Sequence, residues 1–138
     1  MALVVTPQTG ATSPASSSPF TGFDNGQFLI YGFFSIAASG NYAAGGDALS
    51  FTGVSDLLKT AYAPLNLSIA SQSPLGFSGF YYAYRPGGVG MLATLANGRM
   101  QVFQSGNNAN PLSELGAGAY PAAVINDTIV ASGCFVRQ

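Results

Sequence analysis

The stretch from Gly76 to Gln104 constrains the fold most, because turn residues divide it into three runs of strand-forming residues. Aromatic and aliphatic residues dominate these runs, as is typical of strands that pack one face against a core. Pro86-Gly87-Gly88 separates the first two runs, and Asn97-Gly98 separates the last two. Asn-Gly is a strong hairpin signal, because a type I′ turn needs positive φ at both central residues. The stretch predicts a β-meander with strands over residues 77–84, 89–95 and 99–104.

Three further runs extend the strand pattern over most of the chain. Residues 27–38 are apolar and rich in Phe, Tyr and Ile, which favour strand over helix. Residues 65–70 alternate apolar and polar side chains, and residues 127–136 form a closing apolar run. Gly32 and Gly133 lie inside two of these runs, where a glycine is typical of a bulge or bend. About eight strands with Gly, Pro and Asn turns predict an all-β fold: an antiparallel β-sandwich or jelly-roll-like domain, or a small barrel.

One segment has the periodicity of an amphipathic helix. Val54, Leu57, Leu58 and Ala61 are spaced i, i+3, i+4 and i+7, so they would form a single apolar face. Pro64 ends the pattern, because proline cannot continue a helix. We predict one short helix within residues 54–62.

The N-terminal residues differ in composition from the rest. Residues 7–19 consist largely of Ser, Thr, Ala, Gly and Pro, which bury too little apolar surface to offset the entropy of ordering. We therefore divide the chain into an extended Ser/Thr/Pro-rich N-terminal arm, residues 1–23, and a β domain, residues 24–138. Apolar residues near both ends of the arm could anchor it on a neighbouring subunit by strand addition or by filling pockets. These candidate partner-binding residues are Leu3, Val4, Val5, Phe20 and Phe23. Alternatively, residues 3–5 pair with the sheet of their own chain.

Low charge is the main compositional signal in this chain of 138 residues. Charged residues make up 7% and the formal net charge is −1, whereas an ordinary soluble domain has about 25% charged residues. Copies with so little charge repel one another only weakly, so we expect the chain to function in an assembly. The four basic residues are scattered along the sequence: Lys59, Arg85, Arg99 and Arg137. Without a basic run to follow a phosphate backbone, nucleic acid is not an expected partner.

A membrane partner is not expected either. No apolar run approaches the roughly 20 residues that a spanning helix needs. Residues 1–6 lack the basic and apolar regions of a signal peptide. The sequence therefore predicts neither an anchor nor a secretory leader.

The chain shows no constellation of catalytic residues. It has no histidine, which excludes Ser-His-Asp triads, Cys-His pairs and histidine-ligated metals. Its five acids each have a structural explanation in a turn, near a helix start or before a strand: Asp24, Asp47, Asp56, Glu114 and Asp127. The Gly-rich residues 39–47 lack the Lys-Ser/Thr of a P-loop and predict a wide turn, and Cys134 is expected to be a buried hydrophobe. We predict a non-enzymatic protein with no catalytic residue, metal site or cofactor.

The first run of the meander is rich in aromatic residues. Because side chains alternate along a strand, Phe80, Tyr82 and Tyr84 would share one face, while Tyr81 would lie on the other. One face is expected to join the core. The remaining face could be a contact between subunits or a platform on which sugar rings stack. Tyr81 and Tyr84 are therefore further candidate partner-binding residues.

Three segments, taken in order, carry a family resemblance. They are Ala38–Leu49 with its Gly-Gly-Asp-Ala-Leu turn, Asn97–Phe103 with its Asn-Gly-Arg strand, and Pro111–Pro121 with its Ala-Tyr-Pro. They resemble stretches of small head-decoration, or capsid cement, proteins of tailed bacteriophages, over the chain from Ala38 to the C-terminus. The resemblance implies a β-structured subunit on the outer surface of the phage head, usually a trimer at local symmetry axes. Such a subunit clamps adjacent major capsid protein subunits against internal pressure.

The sequence thus favours a non-enzymatic virion structural protein on the outer capsid surface. Its expected partners are the major capsid protein and further copies of itself, as a homotrimer. An alternative is a carbohydrate- or receptor-binding β module of a phage tail or fibre. A third alternative is a closed barrel that binds lipid.

Overall fold

The chain folds into antiparallel β-strands, and the all-β prediction is confirmed. The computed structural model describes residues 3–7, 20–23, 29–54, 60–72, 79–87, 92–105 and 112–136. The strands are β1 Leu3–Pro7, β2 Phe20–Phe23, β3 Leu29–Ala38, β4 Asn41–Tyr42, β5 Asp47–Leu49, β6 Asn66–Ser71, β7 Phe80–Arg85, β8 Gly98–Gln104, β9 Ser113–Glu114, β10 Gly118–Ala119 and β11 Ile129–Val136. A 3-10 turn spans Thr52–Val54, and a short helix, α1, spans Ala122–Ile125.

The larger sheet has five strands and is centred on β3. One edge of β3 pairs with β11, which in turn pairs with β6, and the other edge is shared by β1 and β2. The register between β3 and β11 runs without interruption through Gly32 opposite Gly133. The predicted bulge at these glycines is therefore wrong. Glycine is required at 133 because of close packing, since a Cβ there would lie 2.5 Å from the Asn66 carbonyl oxygen.

The start of the chain belongs to this sheet. Strand β1 pairs with β3 of the same chain, from Leu3 opposite Ala38 to Pro7 opposite Phe34. Residues 3–5 could have anchored the arm on a neighbouring subunit or paired with their own sheet, and in the structure they pair with their own sheet. Leu3 is buried in the core and Val5 packs against it, whereas Val4 is exposed on the opposite side of the strand.

The smaller sheet has four strands and is centred on β8. Strand β7 pairs directly with β8, from Phe80 opposite Gln104 to Arg85 opposite Arg99. The predicted meander, with a middle strand over residues 89–95, is therefore wrong. Residues 92–95 contribute a single bridge, Thr94 to Tyr62, and residues 88–91 lie outside the described ranges.

The predicted type I′ turn at Asn97-Gly98 is also wrong, because Gly98 does not have positive φ. Asn97 does lie in a turn, where its Oδ1 accepts a 2.7 Å hydrogen bond from the Thr94 N–H. Gly98 instead begins β8, and a Cβ at this position would lie 2.6 Å from Cε2 of Tyr84. Glycine is needed here because an aromatic ring packs on the backbone.

The described short helix is not the predicted one. Val54 ends a 3-10 turn, residues 55–59 lie outside the described ranges, and residues 60–62 are not helical. The helix α1 instead follows Pro121, whose carbonyl accepts hydrogen bonds from the N–H groups of Val124 and Ile125. A proline with φ near −60° is suited to this position because its ring fixes that angle.

The core lies between the two sheets, which approach each other where β6 runs beside β7 and where β1 runs beside β5. Three buried rings meet edge to face at its centre, with Phe34 5.0 Å from Phe51 and 5.8 Å from Phe135. Burial of one such side chain contributes about 1.5–3 kcal/mol. The arrangement is sandwich-like and leaves the outer face of each sheet to be considered for function.

Candidate functional site

The three segments with the family resemblance meet along one edge of β8. Strand β5, from the first segment, pairs with residues 98–100 of β8, and β9, from the third segment, pairs with residues 103–104. The first and third segments also pair with each other through β4 and β10. Segments that are distant in sequence therefore form one structural unit, which we call the loop cluster: residues 40–49, 98–104 and 112–120.

Tyr42 closes the gap that β5 and β9 leave on this edge of β8. Its hydroxyl donates a 2.6 Å hydrogen bond to Glu114 Oε1 and accepts one of 3.2 Å from the Val102 N–H. The Gly45 N–H donates to the same Glu114 oxygen over 2.6 Å. One phenol thus satisfies a strand N–H that would otherwise be buried without a partner.

Asp47 holds the Gly-rich turn from the inside. Its Oδ1 accepts a 2.9 Å hydrogen bond from the Ala43 N–H, and its Oδ2 accepts one of 2.5 Å from the Tyr120 hydroxyl. Gly45 and Gly46 have φ of +89° and +96°, values that favour glycine. A turn does lie within residues 39–47, but β4 occupies Asn41–Tyr42, and Asp47 is buried at the start of β5 rather than in the turn itself.

A third carboxylate joins the two sheets. Asp127 lies before β11, as predicted, and accepts 2.6 Å hydrogen bonds from the Ser71 hydroxyl of the larger sheet and the Tyr82 hydroxyl of the smaller sheet. Every acid in the described part of the chain therefore accepts a tyrosine hydroxyl: Asp47 from Tyr120, Glu114 from Tyr42 and Asp127 from Tyr82. Sequence reasoning missed these pairs because 45–73 residues separate the partners.

The electrostatics keep the phenols of Tyr42 and Tyr120 protonated. Burial and the hydrogen bond to Glu114 raise the pKa of Tyr42, and burial and the hydrogen bond to Asp47 raise the pKa of Tyr120. The hydrogen bond from Tyr42 holds the pKa of Glu114 below its usual value, against the opposing effect of burial. The phenols donate and the carboxylates accept, so these pairs cross-link the fold.

The outer face of the smaller sheet carries a second group of residues, which we call the arginine–aromatic strip: Tyr81, Phe103, Gln101, Arg85 and Arg99. In the β7–β8 register, Tyr81 lies opposite Phe103 and Arg85 lies opposite Arg99. Tyr81 is 59% exposed. The register brings together two basic residues that are 14 positions apart in sequence.

Tyr84 does not belong to this strip. As the alternation predicts, it lies on the face opposite Tyr81 and packs against the core. Its hydroxyl is buried and has no hydrogen-bond partner in the part of the chain that the structure describes, and burial raises its pKa. The structure therefore separates Tyr81 from Tyr84, the two candidate partner-binding residues of β7.

The outer face of the larger sheet has a different character, and we call it the neutral face. Its outward positions on β1, β3, β6 and β11 include Val4, Thr6, Tyr31, Phe33, Ser35, Ala37, Asn66, Ser68, Ala70, Val130, Ser132, Cys134 and Val136. None of these residues is charged. Val4, Tyr31 and Phe33 are 50%, 39% and 40% exposed.

Two other predicted residues need separate mention. Cys134 is buried, as predicted, but it lies on the neutral face rather than in the main core. Phe20 and Phe23 lie in β2, and their side chains fall outside the described part of the structure.

Within the described ranges, no cluster of three or more Cys, Asp or Glu residues is arranged to hold a metal ion. Among the same residues, no helix has both the length and the hydropathy of a membrane-spanning segment. No protein-family model, curated protein or solved structure matches this chain.

Proposed function

We propose that this chain is a non-enzymatic phage virion protein that decorates the outer capsid surface and stabilises it by binding across major capsid protein subunits. The observation that carries the proposal is the neutral face, an uncharged sheet surface with exposed aromatic side chains. Charged residues are depleted and aromatic residues enriched at the centres of protein interfaces. A face of this composition is suited to contact with other subunits.

The neutral face alone is too small for one stable contact, so the subunit needs further contacts. Four strands about 4.8 Å apart, each about seven residues long at 3.4 Å per residue, span roughly 450 Å². The exposed part is smaller, because Val130 and Cys134 are buried. A stable interface of standard size uses about 800 Å² from each partner. One such face therefore provides about half of what a single stable contact needs. A subunit that bridges several neighbours, such as a homotrimer seated on a capsid lattice, gains affinity from the sum of its contacts.

Among the predicted anchors in the arm, Val4 supports this role best. It lies on the neutral face next to Ala37 and is exposed, whereas Leu3 and Val5 contribute to the core of their own chain. Val4 thus extends the apolar surface of β3 towards the sheet edge. We propose Val4, Tyr31 and Phe33 as the centre of the subunit contact.

The test is sedimentation of the purified protein, alone and with empty expanded heads of its phage from which it is missing. We expect a trimer of the 14.1 kDa chain, saturable binding to heads and a gain in the heat stability of the heads. Phe33→Asp should abolish the association, because it places an unpaired charge on the neutral face. Tyr62→Asp is the matched control, since Tyr62 is exposed outside this face.

Circular dichroism must show that both variants keep the β fold. A monomer that fails to bind heads would overturn the proposal. If wild type and a folded Phe33→Asp variant bind heads equally well, the neutral face does not make the contact with the capsid.

A further inference from the structure

The arginine–aromatic strip places like charges directly opposite each other. Arg85 and Arg99 are cross-strand partners on the outer face of the smaller sheet. Like charges in this arrangement are destabilising unless an anion or a polar group compensates them. Arg99 donates one hydrogen bond, of 2.9 Å, from Nη1 to the Gly46 carbonyl. Each guanidinium has five N–H donors in a planar fork, so most donors of the pair are left for a ligand.

The nearby acid on this face offsets only one of the two positive charges. The hydrogen bond from Tyr42 and the attraction of Arg85 both hold the pKa of Glu114 below its usual value. Glu114 lies opposite Phe103, at the aromatic end of the strip, and its Oε1 already accepts hydrogen bonds from Tyr42 and Gly45. The face therefore keeps a cationic end. Two adjacent guanidinium groups suit a carboxylate, which they can bind in a bidentate manner.

The other end of the strip offers an apolar platform. Tyr81 and Phe103 face each other across the two strands, four residues from the arginine pair. At about 3.3 Å per residue, the aromatic and cationic ends are about 13 Å apart. Gln101 lies between them, and its side chain hydrogen-bonds Glu114. A side-chain amide has two N–H donors and a carbonyl acceptor, so Gln101 keeps one donor and the acceptor for a ligand. A ligand with both a ring face and a carboxylate, several ring units long, matches this order.

The area of the arginine–aromatic strip favours a sugar ligand over a protein partner. Two strands over about 13 Å give a patch of about 125 Å², far below the roughly 800 Å² per partner of a stable protein interface. The Gly-rich turn borders the strip, with a Cβ at Gly46 only 2.9 Å from Cγ of Gln101. We infer that the arginine–aromatic strip binds an acidic oligosaccharide, with a sugar ring on Tyr81 and Phe103 and a uronic-acid carboxylate on Arg85 and Arg99. This binding is independent of capsid decoration.

The test is calorimetric titration of the full chain with three probes of equal length: oligogalacturonate, neutral maltooligosaccharide and oligoglutamate. We expect oligogalacturonate to bind at least tenfold more tightly than either of the others, and more weakly as salt is raised, because the arginine pair is exposed. Arg85→Gln should weaken that binding about tenfold, which corresponds to the loss of one charge-assisted contact. Arg85 is preferred to Arg99 as the variant because Arg99 also bonds the Gly46 carbonyl.

Tyr81→Ala should weaken binding similarly, whereas Tyr62→Ala should leave it unchanged. Tyr62 is the matched control because its exposed fraction, 55%, is similar to the 59% of Tyr81, while its position lies outside the strip. Equal affinity for the neutral oligosaccharide would overturn the role of the arginine pair. Tighter binding of oligoglutamate would overturn the sugar assignment in favour of an acidic peptide, and no binding of oligogalacturonate would overturn the inference as a whole.

Discussion

The Tyr42 hydroxyl sits between Glu114 Oε1 and the Val102 N–H, at 2.6 Å and 3.2 Å, and so connects two strands that do not pair with β4. Glu114 is 72 residues from Tyr42 in sequence. The same carboxylate oxygen holds the Gly-rich turn through Gly45. Hydrogen bonds to carboxylates thus help to hold the loop cluster together, which gives specific expectations for single variants.

Tyr42→Phe should destabilise the protein by about 1–3 kcal/mol, because it leaves the buried Val102 N–H without a partner and removes a hydrogen bond to a carboxylate. Urea unfolding followed by circular dichroism measures the change. Tyr62→Phe is the control, since the Tyr62 side chain is exposed. Equal stability of the two variants would contradict the role assigned to the Tyr42 hydroxyl.

Glu114 should make the fold sensitive to acid. The hydrogen bond from Tyr42 lowers the pKa of Glu114 in the folded state. A lowered pKa contributes stability above the unfolded-state pKa, and this contribution is lost as pH falls through the folded-state value. We expect Glu114→Gln to lose less stability than wild type between neutral pH and about pH 3. Parallel pH profiles of the two proteins, from urea unfolding, would count against this prediction.

Alkaline conditions should also destabilise the fold, through the buried tyrosines. Burial raises the pKa values of Tyr42, Tyr84 and Tyr120 above the usual tyrosine value of about 10, with added contributions from Glu114 and Asp47 at Tyr42 and Tyr120. Above that pH the unfolded chain releases protons that the folded chain retains, so stability falls as pH rises. Urea unfolding at pH values on either side of 10 measures this, and Tyr120→Phe should flatten the profile. A wild-type profile that is level through this range would refute the expectation.

Gly98→Ala should destabilise the protein by about 1–3 kcal/mol, the usual cost of overpacking. The added Cβ would lie 2.6 Å from Cε2 of Tyr84 and 3.0 Å from the Leu49 carbonyl oxygen. Gly53→Ala is the matched control, because nothing lies within 4 Å of a Cβ there. Thermal unfolding of both variants tests the difference. If Gly98→Ala loses no more stability than Gly53→Ala, the Tyr84 ring can move aside to accommodate the added Cβ.

Tyr84→Phe should be neutral or slightly stabilising, in contrast to Tyr42→Phe. The Tyr84 hydroxyl is buried without a hydrogen-bond partner in the described structure, so its removal relieves a desolvation cost. The measurement is the same urea titration. A loss of more than about 1 kcal/mol would reveal a partner for this hydroxyl.

Local pattern predicted the strands where one face of a run is buried. The apolar run at β3, the alternation at β6 and the closing run at β11 all form strands within one or two residues of their predicted bounds. These predictions succeeded because side-chain period is a property of neighbouring residues. The same alternation correctly put Tyr82 and Tyr81 on opposite faces, and the structure shows that the Tyr82 face is the buried one.

Turn residues and glycines predicted the local structure less well, because the reason for a glycine depends on which residues pack against it. Asn97-Gly98 has the composition of a type I′ hairpin, but Gly98 accommodates the Tyr84 ring at the start of β8. Gly133 similarly accommodates the backbone of β6 rather than forming a bulge. Close approach and positive φ both select glycine, so sequence alone does not separate them.

The sequence by itself determined the all-β class, the two-faced strands and the low charge that leaves one sheet face neutral. Only the tertiary structure decided which residues meet: Tyr42 with Glu114, Tyr120 with Asp47, and Arg85 with Arg99. The physical reason is that pairing register and sheet order bring together groups that are 14–73 residues apart. Local periodicity determines which face of the sheet a side chain lies on, but long-range strand pairing determines which residues it contacts.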